Sequence, residues 1–251
     1  MRALTRKPSD LSRCELTYLE RRPIDRARAL DQHARYEDLL RELGAAVISL
    51  PAEPELPDSV FVEDAAIVLE ECAIVPHMGA PSRRLETQSL AVALSGHRPI
   101  FRLEPPGTLD GGDVLRVDRT LYVGQSTRTD ARGIEALRRA VVPLGYEVLI
   151  LPVHGCLHLK SACTLAGTHT LFLNPAWVDA AGCTGLEFLE VPPAEPCAAN
   201  VLRVGDTVVV PAAFPRTARL LGAHGFAVRS IDTSELMKAE AGVTCMSLLF
   251  D

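Results

Sequence analysis

Four times along the chain a polar cluster runs into an apolar stretch, a turn, a second apolar stretch and a Gly/Pro/Ser-rich exit, and this repetition limits the folds available. The four are Glu63-Asp64 before AAIVLEECAIVPHMG, Asp110-Gly-Gly-Asp113 before VLRVDRTLYVGQS, His158-Leu-Lys-Ser161 before ACTLAGTHTLFLNPAW, and Asn200 before VLRVGDTVVVPAAF. A fifth cluster, Thr244-Cys245, leads into the terminal MSLLF. The second apolar runs begin at Ala73, Leu121, Leu171 and Val208, at intervals of 48, 50 and 37 residues. A period of this size marks an array of supersecondary units. Units set side by side bring equivalent positions together, so the carboxylates, histidine and cysteine carried at one phase are expected to converge.

Within each unit two short β-rich runs are split by EEC, DR, GTH or GD, which is hairpin chemistry. Ser82 to Leu94 reads as a helix, as does Ser126 to Leu144 with apolar residues at Ile134, Leu137, Val141 and Leu144. Leu16 to Leu43 carries a longer helical pattern that ends at Gly44, and AAVISL then reads as a strand. Neither terminus makes a hairpin alone. Pairing RALTRKP with CMSLLF creates a fifth unit and removes the exposed edges. The expected architecture is α/β, a five-bladed α/β propeller of repeated ββαβ units forming one domain over residues 1–251, its polar clusters facing a central channel.

Composition narrows the function. With 47% hydrophobic residues over 251 positions there is material for a sizeable core. A net charge of -6 leaves no basic field for nucleic acid. The N-terminus lacks the apolar core of a signal peptide, and no apolar run is long enough to span a bilayer. A soluble cytoplasmic protein is expected, with neither membrane nor nucleic acid as partner; a homodimer stays open. Seven cysteines, an odd number, favour reduced thiols over a disulfide framework. HExxH, GxxxxGK[ST] and GxGxxG are absent, so zincin, phosphate-cradling and dinucleotide-binding readings lack support.

Cys245 stands at the phase where the other units carry polar clusters, opening the last strand. A lone cysteine is more often a buried structural thiol, but this phase places it with His158, and a thiol near a proton acceptor is a nucleophile. His154, Cys156 and His158 would alternate onto one face if this stretch were a strand, yet no second ligand pair exists to complete a zinc tetrahedron. General acid/base work suits His158 better, and no metal or cofactor is expected. Asp110 and Asp113 frame two glycines; the stretch is good turn chemistry, or it brings a carboxylate close enough to an imidazole to hold its tautomer. Asp58, Glu63 and Asp64 surround SVFV, and on a strand Asp58 and Asp64 would share a face while Glu63 took the other. Grouped acids call for a cationic partner, and a guanidinium fits several carboxylates. Arg83 and Arg128 follow second strands and are candidates to hold a carboxylate at the rim, although ordinary solvated arginines read the same way. Together these acids and arginines describe a guanidino amino acid with a cationic head and an anionic tail.

Six ordered motifs sharpen this: DSVFVED (58–64), GAPSRR (79–84), TLDGGDVL (108–115), TRTDARG (127–133), LHLKS (157–161) and TCMSLL (244–249). In these the chain resembles, over essentially its full length, the dimethylarginine dimethylaminohydrolase family of the pentein, or guanidino-group-modifying, superfamily. The resemblance implies a five-fold α/β propeller with Cys245 as nucleophile, His158 as general acid/base and Asp110 as the carboxylate that orients it. It further implies guanidinium ligands at Asp58, Glu63 and Asp64, α-carboxylate binders at Arg83 and Arg128, and backbone carbonyls of Leu16, in a mobile lid, and Ala239 toward the α-amino group. The expected reaction is hydrolysis of N-ω-methylated arginine to citrulline and an alkylamine through a covalent S-alkylthiouronium. A hydrolase of arginine, agmatine or another guanidine is the near alternative, and a non-catalytic binding module of the same fold the distant one.

Overall fold

The computed structural model describes residues 1–251. The N-terminal strand β1 (Arg2–Arg6) is followed by an irregular segment, and helix α1 (Arg26–Glu42) begins only where Asp25 caps it by accepting from the Arg28 N–H. The helix anticipated from Leu16 is therefore shorter at its start, since ERRPID offers charge and a proline but no apolar stripe. Ala29, His33, Tyr36 and Leu40 recur at helical spacing and are buried. Leu43 ends the helix, and Gly44 takes φ +88°, a left-handed conformation that suits glycine. Strand β2 (Ala46–Leu50) then pairs parallel to β1.

Each later unit begins as a hairpin. Strands β3 (Ile67–Val68) and β4 (Ala73–Val75) are antiparallel, helix α2 (Glu86–Ser95) crosses over, and β5 (Ile100–Arg102) joins β4 in parallel. Strands β6 (Val114–Val117) and β7 (Thr120–Gln125), helix α3 (Ala131–Val141) and β8 (Glu147–Pro152) repeat the order. Both helices start later than anticipated: Asp130 caps α3 through the Gly133 N–H, and Pro81–Arg83 forms a separate 3-10 turn before α2.

A four-residue helix α4 (Leu159–Ala162) leads into β9 (Cys163–Leu165), which pairs with β10 (Thr170–Leu173), and β10 with β11 (Glu187–Glu190) in parallel. Here the ββαβ expectation fails, because no helix separates β10 from β11. NPAWVDAAGCTG carries a proline and two glycines across a connection too short for a stable amphipathic helix. Strands β12 (Leu202–Val204) and β13 (Thr207–Pro211), helix α5 (Pro215–Ala223) and β14 (Ala227–Ile231) restore it, and a short helix α6 (Ser234–Met237) precedes the last strand β15 (Leu248–Phe250).

The result is five separate three-stranded mixed sheets, each with the parallel-paired strand in the middle. β15 pairs antiparallel with β1, Arg2 opposite Phe250 and Leu4 opposite Leu248, as the terminal sequences led one to expect. The core is divided between units: one apolar cluster joins Tyr36 and Leu40 of α1 to Val209 and Met246, and another joins Leu121 and Val123 of β7 to Ile134 and Leu137 of α3.

Candidate active site

The polar clusters lie in the turns just ahead of each hairpin: Glu63 and Asp64 before β3, Asp110 before β6, His158 before β9, Asn200 before β12 and Cys245 before β15. Hydrogen bonds link them in a circuit. Glu63 N–H donates to the Cys245 carbonyl (3.2 Å), Gly111 N–H to the Asp64 carbonyl (2.8 Å), and Leu159 N–H to Asp113 Oδ1 (2.8 Å). Asn200 Nδ2 donates to the Lys160 carbonyl (2.9 Å), and Thr244 N–H to Asn200 Oδ1 (3.0 Å), which returns to the cysteine turn.

His158 is buried at the head of α4, with Nε2 3.1 Å from Asp110 Oδ2 and Nδ1 3.6 Å from Asp64 Oδ1. Burial pulls its pKa down, but the carboxylates of Asp64, Asp113 and Asp110 outweigh it and raise the value to about 9. At neutral pH the ring is an imidazolium. The strand once conceivable across His154, Cys156 and His158 is not formed: Gly155 has φ +68° and the stretch bends, so the three side chains do not alternate on one face. No group of three or more His, Cys, Asp or Glu is arranged to hold a metal.

The double glycine does more than turn the chain. A Cβ at Gly112 would lie 2.5 Å from Asp64 Oδ1 and 2.7 Å from His158 Nδ1, and one at Gly111 would lie 2.1 Å from the Glu63 carbonyl oxygen. Only hydrogen at these Cα positions lets the Asp110 backbone approach the histidine and the acidic turn together. Asp113, the other frame residue, accepts from Ser126 Oγ (2.6 Å), Thr129 Oγ1 (2.7 Å) and Leu159 N–H; burial still raises its carboxyl to about 6.

Asp58, Glu63 and Asp64 do not sit on a strand. Pro57–Val60 is a 3-10 helix with proline at its start, and residues 62–65 turn, so the face alternation anticipated from SVFV is replaced by a fold that buries all three carboxylates. Asp58 Oδ2 accepts from the Glu15 N–H (3.0 Å), and its carboxyl is pushed up by burial against the lowering pull of Arg83. Burial also acts upward on Asp64, but His158 and Arg83 overcome it and hold the carboxyl down; Oδ1 has no hydrogen-bond partner. Glu63 is met by Lys160 Nζ (2.8 Å) and Thr244 Oγ1 (2.5 Å).

Cys245 belongs to the turn at residues 243–246 rather than opening β15, which starts three residues later at Leu248. Its turn is fastened to α1, where Tyr36 Oη donates to the Val243 carbonyl (2.8 Å) and lies 2.7 Å from Ser247 Oγ. Sγ accepts from the Gly242 N–H at 3.3 Å and makes no hydrogen bond to His158. Burial, then Glu63 and Asp64, push the thiol pKa up, and the Gly242 N–H only partly offsets them.

The two arginines part company. Arg83 is not at a rim: it is buried, pairing with Asp64 Oδ2 (2.6 Å) and Glu86 Oε2 (2.9 Å) and donating to the Asp58 and Phe61 carbonyls. Close packing of three acids beside it outweighs the exposure a loop position implied. Arg128 is also buried, but donates only from Nη2, to Thr17 Oγ1 (3.0 Å), while Nη1 has no partner.

Residues 14–21 cover the site. Glu15 is tied to Asp58 and Ser82, Thr17 to Arg128, and Arg21 folds back onto the Ser12 and Cys14 carbonyls (both 2.6 Å). Leu16, half-buried, packs on the same core cluster as Cys245 and the buried Ala239; neither the Leu16 nor the Ala239 carbonyl accepts a hydrogen bond within the protein. Two cavities approach the centre. One of about 470 Å³ reaches Glu63, Gly111, Lys160 and Thr244, and one of about 430 Å³ lies beneath Tyr18 and Leu19 and reaches Leu157, Asn200 and Gly242. Neither has Cys245 or His158 in its wall. Lys160, Asn200 and Thr244 lie inside the sequence clusters, but no motif chemistry marked them; their role is to join clusters that only the fold makes adjacent.

Comparison with known proteins identifies the family. Residues 17–171 match the family model described as N,N dimethylarginine dimethylhydrolase, eukaryotic. A relative from Streptomyces coelicolor named N(G),N(G)-dimethylarginine dimethylaminohydrolase is 40% identical over 250 residues, covering 98% of this chain and 96% of its own. The solved structure of the Pseudomonas aeruginosa dimethylaminohydrolase, a cysteine-to-serine variant complexed with citrulline, superposes with a TM-score of 0.94 at 32% identity over 99% of this chain and 98% of that one. A histidine-to-glycine dimethylarginine dimethylaminohydrolase, as an adduct with S-methyl-L-thiocitrulline, also gives 0.94 at 32% identity, covering 99% of each chain. No helix is long and apolar enough to cross a membrane. With this identity sustained from end to end, the chain belongs to the dimethylarginine dimethylaminohydrolase family.

Proposed function

We propose that the protein hydrolyses N-ω-methylated arginine to citrulline and methylamine or dimethylamine through a covalent cysteine adduct. One observation carries the reading: beneath one lid, a buried carboxylate oxygen, Asp64 Oδ1, and a buried guanidinium nitrogen, Arg128 Nη1, both lack a hydrogen-bond partner, His158 Nδ1 standing 3.6 Å from the former as an ion pair only. Buried polar groups are rarely left so. They call for a ligand with a cation at one end and an anion at the other. The family's citrulline complex supports the same ligand class.

In this reading Asp58, Glu63 and Asp64 hold the guanidinium, Arg83 is kept within that acid cluster by Asp64 and Glu86 and does not reach the substrate carboxylate, Arg128 takes the α-carboxylate, and the Leu16 and Ala239 carbonyls receive the α-amino group. The incoming cation offsets the field of Glu63 and Asp64 that keeps Cys245 protonated, so the thiol loses its proton to solvent once substrate is bound. Sγ forms a bond to the guanidinium carbon. The His158 imidazolium gives its proton to the departing amine as the C–N bond breaks, leaving an S-alkylthiouronium. The neutral imidazole then takes a proton from water, whose oxygen attacks the same carbon. Collapse breaks the C–S bond as the hydroxyl proton passes to solvent, releasing citrulline and the cysteine thiolate. Asp110 holds the ring in place throughout, and the side chains need no metal or organic cofactor.

The five sheets would stand as the blades of a closed propeller, a reading supported by the β15–β1 pairing and by the hydrogen-bond circuit through all five clusters. Every proposed site residue comes from one chain, so a homodimer is not needed to complete the site.

The test is ureido-product formation from asymmetric dimethylarginine, monomethylarginine, arginine and agmatine, beside Cys245→Ser. Turnover of the methylated arginines alone, lost in the variant, is the expected result. Preference for arginine or agmatine would keep the chemistry and move the substrate; near-normal turnover by Cys245→Ser would remove the nucleophile assignment.

A further inference from the structure

Glu240 has a backbone conformation that a glutamate rarely adopts, φ +59°, in the loop between α6 and the cysteine turn. Non-glycine residues persist in this region where their surroundings over-determine them. The surroundings here are the lid. The Glu240 carboxylate accepts from three successive backbone N–H groups, Thr17 (2.9 Å), Tyr18 (2.5 Å) and Leu19 (2.5 Å). Consecutive N–H groups turned toward one point form a concave anion-binding nest, and this one is filled by a side chain 221 to 223 positions away in sequence. The lid has little else to hold it on this side, since Tyr18 and Leu19 are about half exposed.

The position of the contact gives it meaning. The nest begins one residue after Leu16, and the carboxylate is borne one residue after Ala239, so the bond joins the two segments whose Leu16 and Ala239 carbonyls accept no hydrogen bond. Two residues further on, Gly242 donates to Cys245 Sγ. We propose that Glu240 is a positioning residue: its carboxylate latches the lid at residues 17–19 and so assembles the α-amino subsite from Leu16 and Ala239. This rests on the assignment of those two carbonyls made above. Glu240 does not touch the reacting atoms; it decides whether an amino-acid head group meets one carbonyl or two.

The experiment uses the full-length protein with Glu240→Gln and Glu240→Asn. Gln keeps the size without the charge, and Asn tolerates the left-handed backbone, so misfolding of one leaves the other. Amide hydrogen exchange across 15–21 is read in the free enzyme, and KM and kcat are read for monomethylarginine. The expected result is loss of protection at 17–19 and a KM raised about 10- to 100-fold, with kcat changed far less, in keeping with the net worth of hydrogen bonds to a charged group. Unchanged exchange at 17–19 would overturn the latch whatever the kinetics. Lost protection with unchanged KM would overturn the positioning role. If the wild type turned over no methylarginine, the function above would fall, and the exchange result would still decide the latch.

Discussion

The imidazole Nε2 of His158 lies 3.1 Å from Asp110 Oδ2 where neither residue is open to solvent, and this pair, with Asp64 and Asp113 nearby, sets the charge on the ring. Because Asp64, Asp113 and Asp110 raise the His158 pKa to about 9 against its burial, the ring is poised as an acid at neutral pH. Asp110→Asn removes one of the three charges. The His158 pKa should fall, moving the alkaline loss of kcat to lower pH and reducing kcat by roughly 10²- to 10³-fold, within the range for a misplaced general acid. A raised histidine pKa stabilises the fold fully below its unfolded value, near 6.5, and that contribution is lost as pH rises through about 9. Chemical denaturation across this window should therefore be less pH-dependent in the variant. An NMR titration of the His158 ring that is unmoved by the substitution would contradict the argument.

Cys245 faces the opposite field. Burial, Glu63 and Asp64 all disfavour its thiolate, and only the Gly242 N–H and Lys160 act the other way. In the free enzyme the thiolate absorbance, read against Cys245→Ser, should show no titration near neutral pH. A non-reacting guanidinium cation added at saturation should bring the titration down. Thiolate formation near neutral pH without a cation would show that the acids do not control the thiol.

How much of this was legible beforehand depends on what each residue needs. The phase of Glu63, Asp110, His158 and Cys245 relative to the hairpins could be read because side-chain period and turn chemistry are local properties, and the structure indeed gathers these residues. The environment of Arg83 could not be read. A loop arginine looks solvated in sequence, and only the 3-10 helix at Pro57–Val60 and the turn that follows at 62–65 bring Asp58 and Asp64 against it. Glu240 was hidden for the same reason: its partners are backbone N–H groups, which carry no residue-type signal. The missing helix between β10 and β11 shows the reverse, a repeat inferred from three neighbours and broken by one proline-bearing connection.

Gly112→Ala is a test of close approach. The added Cβ would meet Asp64 Oδ1 at 2.5 Å and His158 Nδ1 at 2.7 Å, so one or both side chains must shift. Displacement of catalytic groups by about 1 Å costs on the order of 100-fold in rate. Activity should fall by about that factor while the protein still folds, whereas Gly96→Ala, with nothing within 4 Å of the added atom, should leave kcat within about twofold. Equal activity in the two variants would mean that Gly112 is no more than a turn residue.

Arg83 and Arg128 separate stability from binding. Removing Arg83 leaves Asp64 and Glu86 buried without their shared cation, and Glu86 is already raised to about 7 by burial despite that cation. Breaking such a buried arrangement costs about 3–5 kcal/mol. Arg83→Met should therefore lower the urea midpoint sharply and lower kcat as Asp64 is released. Arg128 makes one side-chain hydrogen bond to the lid and keeps Nη1 unpaired, so Arg128→Met removes little that the free protein uses. Its urea midpoint should stay near that of the wild type, while KM for an α-carboxylate substrate rises about 10- to 100-fold, the worth of a charged hydrogen bond or two. Agmatine, which lacks the carboxylate, should lose nothing further with Arg128→Met. If both variants lost stability alike and KM stayed constant, Arg128 would be a second structural arginine, and the anionic end of the substrate would have to be held elsewhere.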